Sequence, residues 1–369
     1  MDTEERIGIL LGIIISFILF LCFYNTLYNT KIINFSKNQN DPVHYKNLYL
    51  IYEKTSKGYK YGYIDNQGNR IIGPIFDYAR DFSDGLAAIQ YIDQTGFIDK
   101  TGKFLFDANI NITSDFHNNM AIIRFFDENG MKFEDTYLDF FNGYVNRKGD
   151  TVVKPIYDDA EEFSEGLALV RNDSGKYGFI DNEGDIVIPL IYDGAESFSD
   201  GVAAVYSENK IGFIDHKGEF VIRPKFSTVP IFREGLALVN EDTDGEQITY
   251  CINKSGEKVF SLNSDNSGYF SEGLAPVKIN EQWSVIDKVG KIVFTKDCDL
   301  LENFVEGMAR FEENNRWGFV NKKGEVVVEP IYDEAEDFVG DLARVYINRG
   351  DEQYQYYIDK NGKVIWTNE

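Results

Sequence analysis

At 369 residues with 43% hydrophobic content, the chain is long enough to bury more than one core. Its formal charge of −24, from 61 acidic against 37 basic residues, argues against nucleic acid, whose binding comes largely from Lys and Arg neutralising phosphates. Three cysteines are too few for a disulfide framework.

Residues 1–6 form a short polar tail. The run from Ile7 to Phe23, IGILLGIIISFILFLCF, carries no charge and can be extended through Tyr24 and Leu27. A stretch of that length and polarity crosses a bilayer as a helix. A signal peptide is the rival reading, but Tyr24 to Thr30 offers no small-x-small cleavage site, and Leu19-Phe20-Leu21 before Cys22 lacks the small residues of a lipoprotein signal. The expectation is one uncleaved signal anchor over 7–28, single-pass in the cell membrane. Arg6 precedes the span while Lys31 and Lys37 follow it, so positive charge barely chooses a side. A short tail ahead of a large domain points to export of the bulk, an extracytoplasmic placement. Residues 29–46, Asn-rich with Pro42 and no periodicity, read as a linker.

From residue 47 to 369 one unit recurs. Tyr177 to Ala204, YGFIDNEGDIVIPLIYDGAESFSDGVAA, shows it whole. An aromatic strand is followed by a turn, a second apolar strand and a connector, and a third strand opens the next copy. Turn glycines fall at Gly68, Gly102, Gly149, Gly184, Gly218, Gly256, Gly290, Gly324 and Gly362, with a spacing of 34 between several neighbours (102 − 68, 218 − 184, 324 − 290). A fixed period in this range marks a repeat array. Asp or Asn stands three residues before each turn Gly, as at Asp65, Asp99, Asn146, Asp181, Asp215, Asn253, Asp287, Asn321 and Asp359. Such a residue caps backbone donors at the start of a turn, and Gly supplies positive φ at its end, so these carboxylates are structural.

Pro74, Pro155, Pro189, Pro224 and Pro330 lie five or six residues past a turn Gly and are expected to end the ladder. A connector with an aromatic-Asp pair then leads to a return motif, Phe-Ser-x-Gly-Leu-Ala, seen at Phe82, Phe163, Phe198, Phe232, Phe270 and Phe304. The copies at Phe116 and Phe338 are altered, with Asn119 and Asp341 where Gly would stand. An acidic residue precedes the return Gly at Asp84, Glu165, Asp200, Glu234, Glu272 and Glu306, and the expectation is that these charges fan outward into solvent. Cation or basic-partner binding is the sharper alternative. The largest insertion is Asp127 to Asp139, and loops of that kind often carry function.

The pattern of aromatic-Gly-Phe/Tyr-Ile-Asp-x-x-Gly, then Val/Ile-x-Pro, Tyr-Asp and Phe-Ser-x-Gly-Leu-Ala, resembles the WG repeat, also called the KWG repeat. Trp317-Gly318 preserves the naming dipeptide, Tyr61-Gly62 and Tyr177-Gly178 vary it, and Tyr250, Ser284 and Tyr356 replace its Gly. The resemblance implies a bacterial interaction domain without assigned enzymatic activity.

The fold class expected is all-β: about nine three-stranded antiparallel β-meanders in tandem, as an open β-solenoid-like superhelix, with a closed propeller-like toroid as the alternative. Catalysis is not expected. His44, His117 and His216 are scattered, and neither a His/Cys metal spacing nor a Gly-rich phosphate loop occurs. No catalytic, cofactor or metal residue is therefore assigned. Cys251 and Cys298 align with strand and connector aromatics and read as small core substitutes, with a bridge between them as the alternative. The function expected is protein binding through an extended surface. The second reading is an envelope glycan module, in which a row of exposed aromatics would stack sugars.

Overall fold

The computed structural model describes residues 47–369 apart from 57, 93, 108–110, 127–139, 208, 244–245, 263 and 265. The anchor over 7–28, the linker over 29–46 and the insertion at Asp127 to Asp139 lie outside the described residues. Among the described residues, no helix is long and apolar enough to cross a membrane.

Every regular element described is a strand, and the strands form nine small antiparallel sheets in chain order, over 49–76, 78–107, 111–157, 159–192, 194–226, 236–262, 266–296, 300–332 and 334–367. Aromatic and β-branched residues fill them, as a pleated half-buried surface requires. Two compact units divide the chain. The first two sheets belong to one unit; the other seven, with residues 66–68, belong to the second.

Three-stranded meanders describe only the sheets over 49–76 and 236–262. The remaining seven have four strands, because the connector contributes a strand of its own, such as Asp159–Ala160 or Gly194–Ala195. It pairs with the strand after the return motif, Asp159 opposite Arg171 and Gly194 opposite Tyr206. The aromatic-Asp pair and small residue of the connector are thus strand and bend; in five sheets the piece is two residues, too short to show period-two alternation, while in the last two it extends to six, Leu300–Val305 and Glu334–Val339.

Proline does not end the ladder. It lies inside the outer strand of five sheets, in a bulge where three residues oppose one. In the fourth sheet Tyr177 pairs with Tyr192 and Phe179 with Ile188, leaving 189–191 opposite Gly178 alone. The same break sets 73–75 opposite Gly62, 154–156 opposite Gly143, 223–225 opposite Gly212 and 329–331 opposite Gly318. The bulged backbone folds down onto that glycine. A Cβ on Gly178 would lie 2.6 Å from Ile188 O, and one on Gly318 would lie 2.5 Å from Val328 O. Where the Gly is replaced, the proline is absent too, and Tyr250, Ser284 and Tyr356 pair directly with Ser261, Thr295 and Thr367. In these five sheets the glycine of the repeat and the proline of the next strand are one device, whereas Gly96 of the second sheet, with no proline opposite, pairs directly with Asp107.

Cores lie between consecutive sheets rather than within one. Leu169, Phe179 and Ile188 of the fourth sheet pack with Phe198, Val205 and Ile214 of the fifth; Phe213, Ile222 and Phe226 of the fifth pack with Val239 and Ile252 of the sixth. Phe179, with no exposed surface, is one of several aromatics whose burial stabilises by about 1.5–3 kcal/mol each. Most aromatic content is consumed here. Cys251 is buried in such a core and Cys298 is half-buried; neither is disulfide-bonded, and burial pushes both thiols up to about 11.

The Asp/Asn turns form as their residues require. Asp181 Oδ1 accepts the backbone N–H groups of Glu183 at 3.1 Å and Asp185 at 2.9 Å, and Gly184 N–H donates to Asp181 O at 3.0 Å. Gly184, at φ 90°, also abuts the preceding sheet, where a Cβ would stand 3.0 Å from Val153 Cγ2.

Candidate interaction surface and the clasp between sheets

The return motif is a two-residue hairpin. Ser164 N–H donates to Leu167 O at 2.9 Å and Leu167 N–H to Ser164 O at 3.1 Å, so Glu165 and Gly166 occupy its tip with φ of 53° and 87°. Left-handed conformation at both tip positions suits Gly, Asn or Asp. A Glu there costs about 1–2 kcal/mol, yet Glu234, Glu272 and Glu306 repeat the feature at 53°, 53° and 52°.

That conformation aims the carboxylate at the next sheet. Glu165 accepts the N–H of Gly201 at 3.0 Å, Glu234 that of Gly273 at 3.0 Å, Glu272 that of Gly307 at 2.9 Å and Glu306 that of Gly340 at 2.6 Å; Asp200 accepts from Gly235 in the same way. Each acid also meets a basic side chain just after the Asp/Asn of a turn: His216 at 3.0 Å from Glu165, Lys254 at 3.1 Å from Asp200, Lys288 at 2.9 Å from Glu234, Lys322 at 2.8 Å from Glu272 and Lys360 at 3.1 Å from Glu306. These five carboxylates do not fan into solvent; they clasp sheet to sheet. Partial burial pushes the Glu234 carboxyl up, but hydrogen bonds from Lys288 and Gly273 outweigh it and hold the group below the ordinary glutamate range.

The serine of the motif adds a second link. Ser164 Oγ donates to Phe198 O at 2.7 Å, Ser199 Oγ to Phe232 O at 3.1 Å and Ser271 Oγ to Phe304 O at 2.5 Å. In the altered copy Asn118 holds the acid's place at φ 51° and donates instead to Phe163 O at 2.6 Å. The turn residue of the fourth sheet, where a cation would pair with it, is the neutral Asn182. In the last copy Gly and Asp exchange places, and Asp341 Oδ2 accepts from Asn66 Nδ2 at 2.7 Å. The sequence signal that would have revealed the clasp is this matching of charge: Lys or His follows a turn Asp/Asn where an acid can reach it.

Connectors of the third to fifth sheets border a cavity of about 470 Å³ whose lining includes Glu161, Ser197, Phe198, Val202, Phe232 and Arg233. Glu161 is exposed as a residue, but partial enclosure of its carboxyl raises its pKa; the Ser197 hydroxyl, donating at 2.6 Å, opposes the rise, while Glu196, Asp159 and Glu162 add to it. Arg233 bonds Ser199 and lies over the Tyr269 ring. His117, 3.1 Å from Glu162, borders the adjoining hollow, whereas His216 is committed to its clasp and stacks on Phe198 at 4.3 Å. The structure does not bring these histidines together on a nucleophile. Among the described residues no group of His, Cys, Asp or Glu could hold a metal ion.

The outer strands expose aliphatic side chains: Ile186, Val187 and Ile191, Val221, Val259, Ile292 and Val293, Val326 and Ile331 are each 40–63% exposed. Exposed aromatics are fewer, with Tyr59, Tyr78 and Phe220 the large ones among the described residues.

Solved structures of similar strand arrangement include BamB from Moraxella catarrhalis, 12% identical with a TM-score of 0.41 over 79% of this chain and 95% of that one. AztD from Citrobacter koseri is 12% identical, with a TM-score of 0.35 over 61% and 77% of the two chains; Kluyveromyces lactis Hsv2 is 10% identical, at 0.35 over 77% and 95%. At these scores the likeness carries no functional meaning. No curated protein matches the sequence. Eight successive segments, residues 61–93, 96–127, 143–177, 177–210, 211–242, 251–283, 283–317 and 317–349, match the WG containing repeat, and the chain belongs to that family.

Proposed function

We propose that the chain is a membrane-anchored, non-catalytic platform that binds a protein partner through the outer surface of its sheets. The observation that carries this reading is the kind of side chain exposed there. Outer strands present Ile and Val at Ile186, Ile191, Ile292 and Ile331, which suit burial against another protein, whereas stacking of sugars needs flat aromatic faces. Net charge of −24 keeps such a surface from self-association.

The glycan reading is favoured by one local feature. In the first unit Tyr52, Tyr59, Tyr61 and Tyr78 form a contiguous group, with ring centroids 5.6, 6.2 and 6.1 Å apart and Tyr59 and Tyr78 half exposed. Capture from solubilised membranes, run beside binding to isolated wall material, tests both. Retention of a specific protein sensitive to Ile191→Lys with Ile331→Lys supports the platform. Binding to wall material alone, lost with Tyr59→Ala and Tyr78→Ala, replaces it with the glycan module.

For the anchor, fractionation of the full chain with membranes and digestion of its repeats by protease added to intact cells are the expected results.

A further inference from the structure

Five sheets have an outer edge that cannot readily accept another strand. Pro74, Pro155, Pro189, Pro224 and Pro330 each remove a donor, and the three-residue bulge around them bends the edge. The sixth and seventh sheets lack both devices. Their outer strands, Lys258–Leu262 and Ile292–Lys296, contain no proline; each keeps only a one-residue bulge near its start, at Val259 and at Val293, and beyond it pairs residue for residue, Tyr250 to Ser261 and Ser284 to Thr295. Each ends its sheet, hydrogen-bonded on one side only. These edges also lack the glycine that seats the three-residue bulge, since Tyr250 and Ser284 stand in its place. Two further proline-free edges, Phe104–Asp107 and Val364–Thr367, are shorter, at 4 residues against 5.

Along the seventh edge Ile292 and Val293 are 47% and 45% exposed, and Lys291 and Lys296 flank them. We propose that Ile292–Lys296 is a docking edge that receives an extended segment of a partner protein as a fifth strand, an apolar β-branched stretch with acidic residues at its ends. Main-chain hydrogen bonds supply the attachment, Ile292 and Val293 supply apolar contact, and the two lysines select the charge of the flanks. A second copy of this chain fits less well, because two domains of the same strong negative charge repel. The inference rests on the protein-binding reading and narrows it to one edge.

The test uses the folded repeat domain within the full chain in detergent and a fluorescent peptide, acetyl-Glu-Val-Thr-Val-Thr-Val-Glu-amide, with a proline-substituted peptide as control. Anisotropy should show binding of the first and not the second, and amide exchange should slow at 292–296. Ser284→Gly with Lys296→Pro converts this edge to the bulged type of its neighbours and should weaken binding by about tenfold or more, as loss of two or three hydrogen bonds implies. Slowed exchange elsewhere, or unchanged affinity in a folded double variant, overturns the proposal. Should the double variant fail to fold, the exchange map of the unmodified chain decides alone. A concentration-dependent dimer abolished by the double variant overturns the partner assignment in favour of self-pairing. If that variant still captures a membrane protein, the platform reading stands and the docking edge falls.

Discussion

The Glu165 carboxylate accepts the backbone N–H of Gly201 from the following sheet, at 3.0 Å, while His216 closes on it from the turn beyond, also at 3.0 Å. Two sheets and a turn are held by one side chain, and only because Glu165 adopts φ of 53° does it point that way. Four further sheets repeat the arrangement with Lys in place of His.

Substitution at Glu272 separates the two parts of this balance. Glu272→Ala removes the bonds to Gly307 and Lys322 but keeps the left-handed strain, whereas Glu272→Gly removes both. Chemical denaturation should place Glu272→Ala below the parent, with Glu272→Gly about 1 kcal/mol more stable than the alanine variant. Equal stabilities would show that the conformation carries no strain. A double-mutant cycle with Lys322→Met should return a coupling of about 0–1 kcal/mol, the range for an ion pair open to solvent.

The repeat glycines should divide into two classes. Gly178→Ala places a methyl 2.6 Å from Ile188 O and 2.7 Å from Leu190 N, both backbone atoms of the bulge, and should destabilise by about 2–3 kcal/mol. Ser284, at the equivalent place in a flat sheet, already tolerates a side chain opposite Thr295. Ser284→Ala should therefore fall within about 1 kcal/mol of the parent, because no backbone atom has to move and only a hydroxyl is removed. Thermal melts of the two variants, compared with the parent, give the answer.

These pairs also show how much of the molecule the sequence discloses. The turn carboxylates Asp181 and Asp215 are structural as the spacing from Asp to Gly requires, because an Asx turn is a local event within five residues. Strand identity was legible for the same reason. The connector strands were not, since two residues such as Gly194-Ala195 carry no period. The coupling of Gly178 to Pro189 is not legible, because the bulge that joins them crosses two strands and nothing local announces it. In the sequence Glu165 looks like a solvated charge because its partners lie 36 and 51 residues on (201 − 165, 216 − 165), beyond what any short pattern reports. The anchor and the insertion at Asp127 to Asp139 rest on the sequence alone.

Acid should loosen the domain. Asp77 is held below the ordinary aspartate value by the Lys60 ammonium and the Ile92 N–H, Asp215 by the N–H of Glu219, and Glu234 by Lys288 and Gly273 against the pull of burial. A carboxylate whose pKa is lower folded than unfolded contributes stability above its unfolded value, and that contribution disappears as pH falls through the folded value. The urea midpoint should thus decline as pH drops below about 4. Glu161 has the opposite sign: its raised pKa means that ionisation opposes folding once pH exceeds the unfolded value. Glu161→Gln should raise the midpoint at pH 7 and lose that advantage at pH 3. A midpoint that rises on acidification would show that crowded carboxylates outweigh the clasps.

Closure of the array can be read from an in-phase deletion. Removing Asn182 to Asp215 takes out 34 residues (215 − 182 + 1) and joins Asp181 to His216, so the turn through Lys217 and Gly218 is restored. Glu165 then takes the place of Asp200, facing Gly235 and Lys254, and the local clasp is rebuilt with its charges matched. In an open array the loss should be close to that of one sheet and one inter-sheet core, and melting should stay cooperative. In a closed ring every angle between sheets must change, and stability should fall much further. The open array expected from the sequence predicts the first outcome. Removing Asn182 to Phe198, 17 residues (198 − 182 + 1), is the control: it puts part of a connector where a strand is needed and should unfold the adjoining sheets in either architecture. If the 34-residue deletion melts non-cooperatively or far below the parent by circular dichroism, that expectation falls.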